Sequence, residues 1–221
     1  GHRLTGGLFD PTIQPLWRAL AEGRPTDLAH EAIGWHRVQL GATEIRLDPG
    51  QALTFNGIAQ GYAADRVRAL LADAGFAEAL VDMGEHAAIG GPWEIGIEDP
   101  VHGLLGRRRI EGTALATSSP GAMTVGGMPH ILAPDGRAPL WSSVTVEART
   151  ATLADGLSTA FCFLDAPAIA RLKAAEPALR SVTLISRAGD LSTLCPGLAT
   201  RAPAPEKCRP TVLAIMARIP G

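Results

Sequence analysis

Several of the features that most readily betray a function are missing from this sequence. No apolar run approaches the length of a membrane-spanning helix. The charges nearly cancel, 20 Lys+Arg against 22 Asp+Glu, and the net charge of -2 gives no electrostatic basis for a nucleic-acid partner. The one basic run, Arg107-Arg108-Arg109, reads as a solvated strand edge or turn. Cysteine is scarce, at 3 residues. Cys162 sits in an apolar helical pattern and reads as a buried small hydrophobe. Cys195 and Cys208 bracket a proline-rich stretch and could pair in a disulfide if the protein is exported. The lysine of a Walker phosphate loop is absent, and no Ser-His-Asp order is present. His30-Glu31 opens a zinc-protease pattern whose second histidine would stand at position 34, but that residue is Gly34. The chain starts at Gly1 with no visible signal peptide, which reads as a fragment or a processed form.

What the chain has is core-forming capacity. Its 221 residues are 46% hydrophobic, enough for one sizeable domain or two small ones and too apolar for disorder. Ile13, Leu16, Trp17 and Leu20 recur at helical spacing after Pro11, and Gly23 ends that helix. Thr26 suits the cap of a short helix running to Ile33. Trp35 to Leu40, Glu44 to Leu47 and Ala52 to Phe55 read as strands. A helix follows, with Ala63, Val67, Leu70, Leu71 and Ala74 as its apolar face and Gly75 as its C-cap. Short strands are expected at Ala79–Met83, Ala87–Ile89, Trp93–Ile97, Thr113–Thr117, Pro129–Leu132 and Ser142–Glu147. A helix at Leu153–Leu164, another capped by Asp165, and a strand at Val182–Ile185 complete the pattern. Strands follow one another directly too often for a doubly wound sheet. The expected class is α+β, mostly antiparallel sheets with packed helices, as residues 1–194, and an irregular Pro/Ala-rich tail over 195–221.

The stretch Asn56-Gly57-Ile58-Ala59-Gln60-Gly61-Tyr62-Ala63-Ala64-Asp65 puts two glycines between a strand end and a helix start. That suits a phosphate-binding turn, and equally an ordinary strand-to-helix connection. In the later helix, Asp155 and Thr159 share a face with Ser158 beside them. Such oxygens suit Mg²⁺, or else a solvated helix face on which Thr159 bonds its own backbone. His130 begins an apolar strand and is either structural or catalytic. Thr117, Ser118 and Ser119 end a strand as a phosphate contact, a ribityl contact or a plain polar turn. Met83-Gly84-Glu85 ends another strand, where a flat ring could approach, or forms a bulge.

These pieces occur together in one known order. Gly7-Leu8-Phe9-Asp10-Pro11-Thr12, the Asn56–Asp65 stretch, Val81–Glu85, Trp93–Pro100, Ala116-Thr117-Ser118, His130-Ile131 and Ala154–Ala160 resemble the FAD:protein FMN transferases, the ApbE-like flavin transferases. The resemblance runs from Gly6 to Leu164 and more loosely to Ile185. It implies a two-lobed fold, with the nucleotide in the cleft between the lobes. It also implies an enzyme that takes FAD as substrate with Mg²⁺, joins FMN to a threonine or serine of an acceptor protein, and releases AMP. The implied acceptor is a flavin-carrying subunit of a membrane redox complex, and the implied location is the periplasm or cell envelope. Asp155 and Thr159 match the family's metal ligands, with Ser158 as an occasional third and Gly57 giving a backbone carbonyl. His130 matches a histidine the family needs. Leu8, Phe9, Asp10, Thr54, Gln60, Gly84, Glu85 and Ile131 match positions that contact FAD. The chain departs from the family in beginning late, in Thr54 for an aspartate, Gln60 for a lysine or glutamate, Glu85 for a glycine and Ala133 for an aspartate. Two other readings fit a divergent member: a non-catalytic FAD-binding relative, and a Mg²⁺-dependent FAD pyrophosphatase.

Overall fold

The computed structural model describes residues 1–195 and the backbone of 198–201. A 3-10 turn, Pro11–Ile13, runs into helix α1, Gln14–Ala21. Asp10 caps the turn by accepting from the Thr12 N–H at 2.8 Å. Helix α2, Asp27–Glu31, and the two-residue strands β1, Gln39–Leu40, and β2, Ile45–Arg46, follow. The first half of the strand expected at Trp35–Leu40 is instead a 3-10 turn, Trp35–Arg37. It closes on itself through Val38 N–H to the Trp35 carbonyl at 3.0 Å, while the Gln51 side chain takes up the Gly34 carbonyl at 2.9 Å.

The segment expected as a strand at Ala52–Phe55 belongs to no sheet. Its backbone is used elsewhere. Thr54 N–H donates to the Pro11 carbonyl at 2.8 Å, and the Phe55 carbonyl accepts from Ile58 and Ala59 at the entry to α3, Ala59–Asp73. The buried side of α3 is also rotated from the expected one. Gly61 and Ala64 are buried and Val67 and Leu71 pack behind them, while Leu70 is 63% exposed and Ala74 is exposed too. The cause is the neighbour: Gly61 and Ala64 are small enough for another helix to approach closely. The expected C-cap is present, with Gly75 at φ +89°, Phe76 N–H bonded to the Leu71 carbonyl and Gly75 N–H to Ala72.

Strands β3, Ala79–Asp82, β4, His86–Ile89, β5, Trp93–Asp99, β6, Gly103–Ile110, and β7, Ala114–Ser118, come next. The arginine run lies on β6, with Arg107 against Glu94 and Arg108 against Glu147, both at 3.2 Å. The little hairpin of β8, Thr124–Val125, and β9, Met128–Pro129, replaces the strand expected at Pro129–Leu132. The hairpin ends at Pro129, with the His130 N–H still bonded back to the Met123 carbonyl at 3.1 Å. Then come β10, Ser143–Ala148, helix α4, Ala151–Phe161, helix α5, Ala166–Ala175, β11, Leu179–Ile185, β12, Leu191–Cys195, and β13, Leu198–Arg201. Strand β13 falls inside the stretch whose composition suggested an irregular tail. Cys208, and with it any pairing to Cys195, lies outside the described residues.

Seven strands form one sheet in the order β13-β12-β11-β10-β7-β4-β3, and every neighbouring pair is antiparallel. Side chains alternate across it. On one face Ala116, Val144, Val146, Val182 and Leu184 meet α4 through Ala154, Leu157, Ala160 and Phe161. On the other, Ala88, Leu115 and Ile185 meet Ile95, Ile97 and Ile110 of the β5–β6 hairpin. Strand β10 is covered on both sides, which is why it is buried along nearly its whole length. Each fully buried Val, Leu, Ile or Phe here contributes about 1.5–3 kcal/mol. The firm sheet and its covering helix hold the end of β7 and the middle of α4 in fixed positions.

Candidate functional site

A cavity of about 350 Å³ lies where the N-terminal segment, the turn before α3, the end of β7, the β8–β9 hairpin and α4 converge. Leu8, Phe9, Asp10, Thr54, Gly57, Gln60, Glu85, His130, Ile131, Asp155 and Thr159 all line it. Residues as far apart in the sequence as Leu8 and Thr159 are thus brought to one place by the sheet and the helix pair. Trp17, Met123 and Ser119 line it as well. Trp17 was legible only as part of a helix's apolar stripe, and nothing in the spacing of Met123 announces a wall of a cavity.

Two expected residues stand aside. Ser158 is fully buried; its hydroxyl donates to the Asp155 carbonyl at 2.9 Å and meets Ser118 Oγ at 2.8 Å. It sits behind the site and supports Ser118. Gly84, at φ +92°, faces the Gln60 carboxamide, which donates to the Met83 carbonyl at 3.2 Å. A Cβ at Gly84 would come within 2.5 Å of Gln60 Nε2, so this glycine makes room for Gln60.

Helices α3 and α4 cross at Gly61. Its N–H donates to Asp155 Oδ2 at 3.0 Å. Asp65, one turn further along α3, accepts from Ala151 N–H at 2.9 Å and from Thr152 N–H at 2.8 Å, capping the start of α4. The motif that contains Gly57, Gly61 and Asp65 therefore grips α4 at its N-terminus and at its middle. Sequence pattern alone gave Asp65 no role. Gly57 closes the same junction: a Cβ there would lie 3.1 Å from the Phe9 ring and 3.2 Å from Thr159 Oγ1.

The helix face that carries Asp155 is not solvated, since Asp155 is only 4% exposed. Burial pushes its carboxyl up to about 6, against the opposing hydrogen bond from Gly61. Glu85 is 7% exposed, and burial, reinforced by the charge of Asp155, pushes it up to about 8. Glu85 accepts from the Thr117 N–H at 3.2 Å. Two carboxyls raised in one cavity mark a place that would welcome positive charge.

The donor set fits a hard divalent cation. Thr159 Oγ1 gives its proton to the Asp155 carbonyl at 3.1 Å; Ser118 Oγ lies 3.4 Å from it but spends its own proton on Ser158 at 2.8 Å, which leaves Thr159 a lone pair for an ion. Asp155 has Oδ2 engaged by Gly61, and among the described residues no hydrogen bond engages Oδ1. Carboxylate, hydroxyl and a nearby backbone carbonyl are the oxygen ligands such an ion prefers. Among the described residues no group of three or more His, Cys, Asp or Glu is placed to hold a metal ion, so an ion held here would take most of its ligands from phosphates and water.

His130 brings a base to the cavity wall. Its Nδ1 lies 3.2 Å from the Pro120 carbonyl and 3.3 Å from the Met123 carbonyl. Carbonyls only accept, so Nδ1 carries the proton and, in the neutral ring, Nε2 keeps a lone pair. Cys162, by contrast, is inert: fully buried, with Sγ against the Ser158 carbonyl at 3.3 Å and its thiol pushed up by burial.

The sequence profile of the ApbE family matches residues 1–200. A FAD:protein FMN transferase of Klebsiella pneumoniae (strain 342) is 37% identical over 73 residues, 32% of this chain and 23% of that protein, so the match spans under a quarter of that relative. Among solved structures, the ApbE protein of Thermotoga maritima superposes with a TM-score of 0.74 at 26% identity, covering 86% of this chain and 71% of that one. The apo flavinyl transferase ApbE of Pseudomonas stutzeri gives 0.71 at 26%, covering 88% and 67%. The flavin transferase ApbE of Vibrio cholerae gives 0.73 at 25%, covering 88% and 70%.

Proposed function

The chain belongs to the ApbE family, and from that premise we propose that it transfers FMN from FAD to a threonine or serine hydroxyl of an acceptor protein, releasing AMP, with Mg²⁺ bound in the cavity. The observation that carries this reading is the junction of Gly61 and Asp155 at 3.0 Å, with Thr159 and His130 on the same cavity wall. Asp155, Thr159 and the Gly57 carbonyl would hold the ion, which supplies positive charge to the diphosphate oxygens as charge builds on them.

The chain's own residues account for the remaining steps. His130 Nε2 accepts the proton of the acceptor hydroxyl. The freed oxygen bonds to the phosphorus of the FMN moiety as the bond from that phosphorus to the bridging oxygen breaks, and AMP leaves with that oxygen. Leu8, Phe9 and Ile131 give the cavity apolar walls that exclude water, so that the hydroxyl of a protein competes successfully for the phosphorus. The acceptor by this reading is a flavin-carrying subunit of a membrane redox complex, and the setting is the periplasm or cell envelope; both rest on family resemblance. No helix among the described residues is long and apolar enough to cross a membrane.

The test is to mix the protein with FAD, Mg²⁺ and an acceptor domain bearing a flavinylation threonine, then measure AMP and the acceptor's mass. AMP together with an FMN-heavier acceptor is the expected result. AMP with free FMN and an unmodified acceptor would make the protein a pyrophosphatase, and bound FAD with neither product would make it a binding relative.

A further inference from the structure

A line of hydrogen bonds runs from a buried carboxylate to the cavity wall. Asp99, the last residue of β5, is 1% exposed. Its Oδ1 accepts from the Val101 N–H at 2.9 Å and the His102 N–H at 3.0 Å, and its Oδ2 accepts from Ser143 Oγ at 2.5 Å. Burial alone would raise this carboxyl, but the hydrogen bonds from Ser143, Ser142 and the two N–H groups outweigh it and hold it below its usual value. Ser143 Oγ in turn lies 2.7 Å from Ser119 Oγ. Ser143 begins β10 and Ser119 follows the last residue of β7, and these strands pair at Val144 and Ser118. Ser119 lines the cavity.

Proton counting gives this line a direction. A carboxylate only accepts, so Ser143 spends its single proton on Asp99. The bond between Ser143 and Ser119 then needs its proton from Ser119. Ser119 has no second proton to offer, and what it turns toward the cavity is lone pairs.

We propose that Ser119 is a ligand-binding residue held as a pure hydrogen-bond acceptor by Ser143 and Asp99, and that it recognises an N–H or O–H donor of the bound dinucleotide, not a phosphate oxygen. The inference rests on FAD as the ligand. It narrows the choice left open at Thr117-Ser118-Ser119, because an acceptor facing a phosphate oxygen gains nothing. The donor can belong to the riboflavin half (its imide N–H or ribityl hydroxyls) or to the adenosine half (its amino group or ribose hydroxyls).

The isosteric variant Asp99→Asn tests the direction of the line. The two backbone N–H groups on Oδ1 fix the amide oxygen there and place the amide NH₂ against Ser143. Ser143 then accepts, donates onward to Ser119, and frees the Ser119 proton to turn into the cavity. Binding of FAD, riboflavin, ADP and Mg-pyrophosphate is measured calorimetrically for wild type, Ser119→Ala, Asp99→Asn and the double variant. Ser119→Ala is expected to weaken FAD roughly three- to tenfold, the worth of one neutral hydrogen bond. The same loss should appear with riboflavin or with ADP, whichever half carries the donor, and not with Mg-pyrophosphate. Asp99→Asn should weaken FAD comparably, yet add nothing once Ser119 is alanine. Unchanged FAD affinity in Ser119→Ala, an equal loss with Mg-pyrophosphate, or simple addition of the two effects overturns the inference while leaving the transferase reading intact. A wild-type chain that binds none of the four probes removes both.

Discussion

The Gly61 N–H donates to Asp155 Oδ2 at 3.0 Å, tying the first turn of α3 to the middle of α4. A Cβ at Gly61 would press on the Ala151 carbonyl, 2.6 Å from its carbon, and lie 2.8 Å from Asp155 Cβ. These neighbours are backbone and the root of a side chain, so they cannot swing aside. In an open helical position Gly→Ala would stabilise by about 0.5–1 kcal/mol. Here overpacking, roughly 1–3 kcal/mol, wins. Gly61→Ala is therefore expected to lower the melting temperature by several degrees, at about 2–4 °C per kcal/mol for a chain of this size. Thermal melting followed by circular dichroism checks it, and a variant that melts higher than wild type would mean the helices do not meet as described.

Asp155→Asn separates chemistry from folding. The amide oxygen can still accept from Gly61, so the helix crossing survives. Burial holds the wild-type carboxyl up at about 6 from 3.8, so without a cation the folded state loses stability as pH rises through that window. Removing the charge removes that cost. The variant should melt at or above the wild-type temperature at pH 7.5 in EDTA. Its Mg²⁺-dependent release of AMP should fall by more than about a hundredfold. Chromatographic quantitation of AMP decides, and a variant that is stable but still active would take Asp155 out of the cation site.

The difference between what could be read in the chain and what could not has a physical origin. Strands β3, β4, β7 and β10 and helix α4 are short apolar runs bounded by turn or capping residues, and they lie close to their expected places. The segment Ala52–Phe55 was misread because its apolar residues line the approach to a helix and its backbone bonds go to Pro11 and α3. The face of α3 was misread because its partner is a helix at close range, which rewards Gly61 and Ala64 over the larger Leu70. Strand β6 carries three consecutive arginines, which hide its period. The cavity residues Gly57, His130, Asp155 and Thr159 were legible through motif order. The Asp65 cap on α4, and the line from Asp99 to Ser119, were not. Such hydrogen bonds join positions 86 or 44 residues apart, and local spacing carries no trace of them.

His130 divides transfer from binding. With Nδ1–H held by the carbonyls of Pro120 and Met123, Nε2 is the nitrogen available to an acceptor hydroxyl. His130→Ala should slow flavinylation of the acceptor by about 10²–10⁴-fold, the usual worth of a positioned base. FAD affinity should change far less, because the cavity's apolar walls and the carboxylate–hydroxyl pair remain. Acceptor mass against time and FAD titration by fluorescence give the two numbers. Equal losses in both would make His130 a binding residue and leave the base to be found elsewhere.

Glu85 should leave a pH signature on stability. Burial, with the charge of Asp155 added, raises its carboxyl from 4.5 to about 8, and the Thr117 N–H only partly offsets this. Below pH 4.5 folded and unfolded chains both hold the proton, so Glu85 contributes no difference. Between 4.5 and about 8 the folded chain keeps a proton that the unfolded chain has released, and stability declines as pH rises. Above about 8 both have lost it, and the folded state carries the full cost of a buried carboxylate. Glu85→Gln removes this dependence without changing the shape of the side chain. In EDTA the variant and wild type should melt together near pH 4. Their curves should then part through the window, and the variant should melt several degrees higher at pH 9. A gap of constant size from pH 4 to 9 would show that the glutamine acts through packing, and that Glu85 is not held protonated beside Asp155.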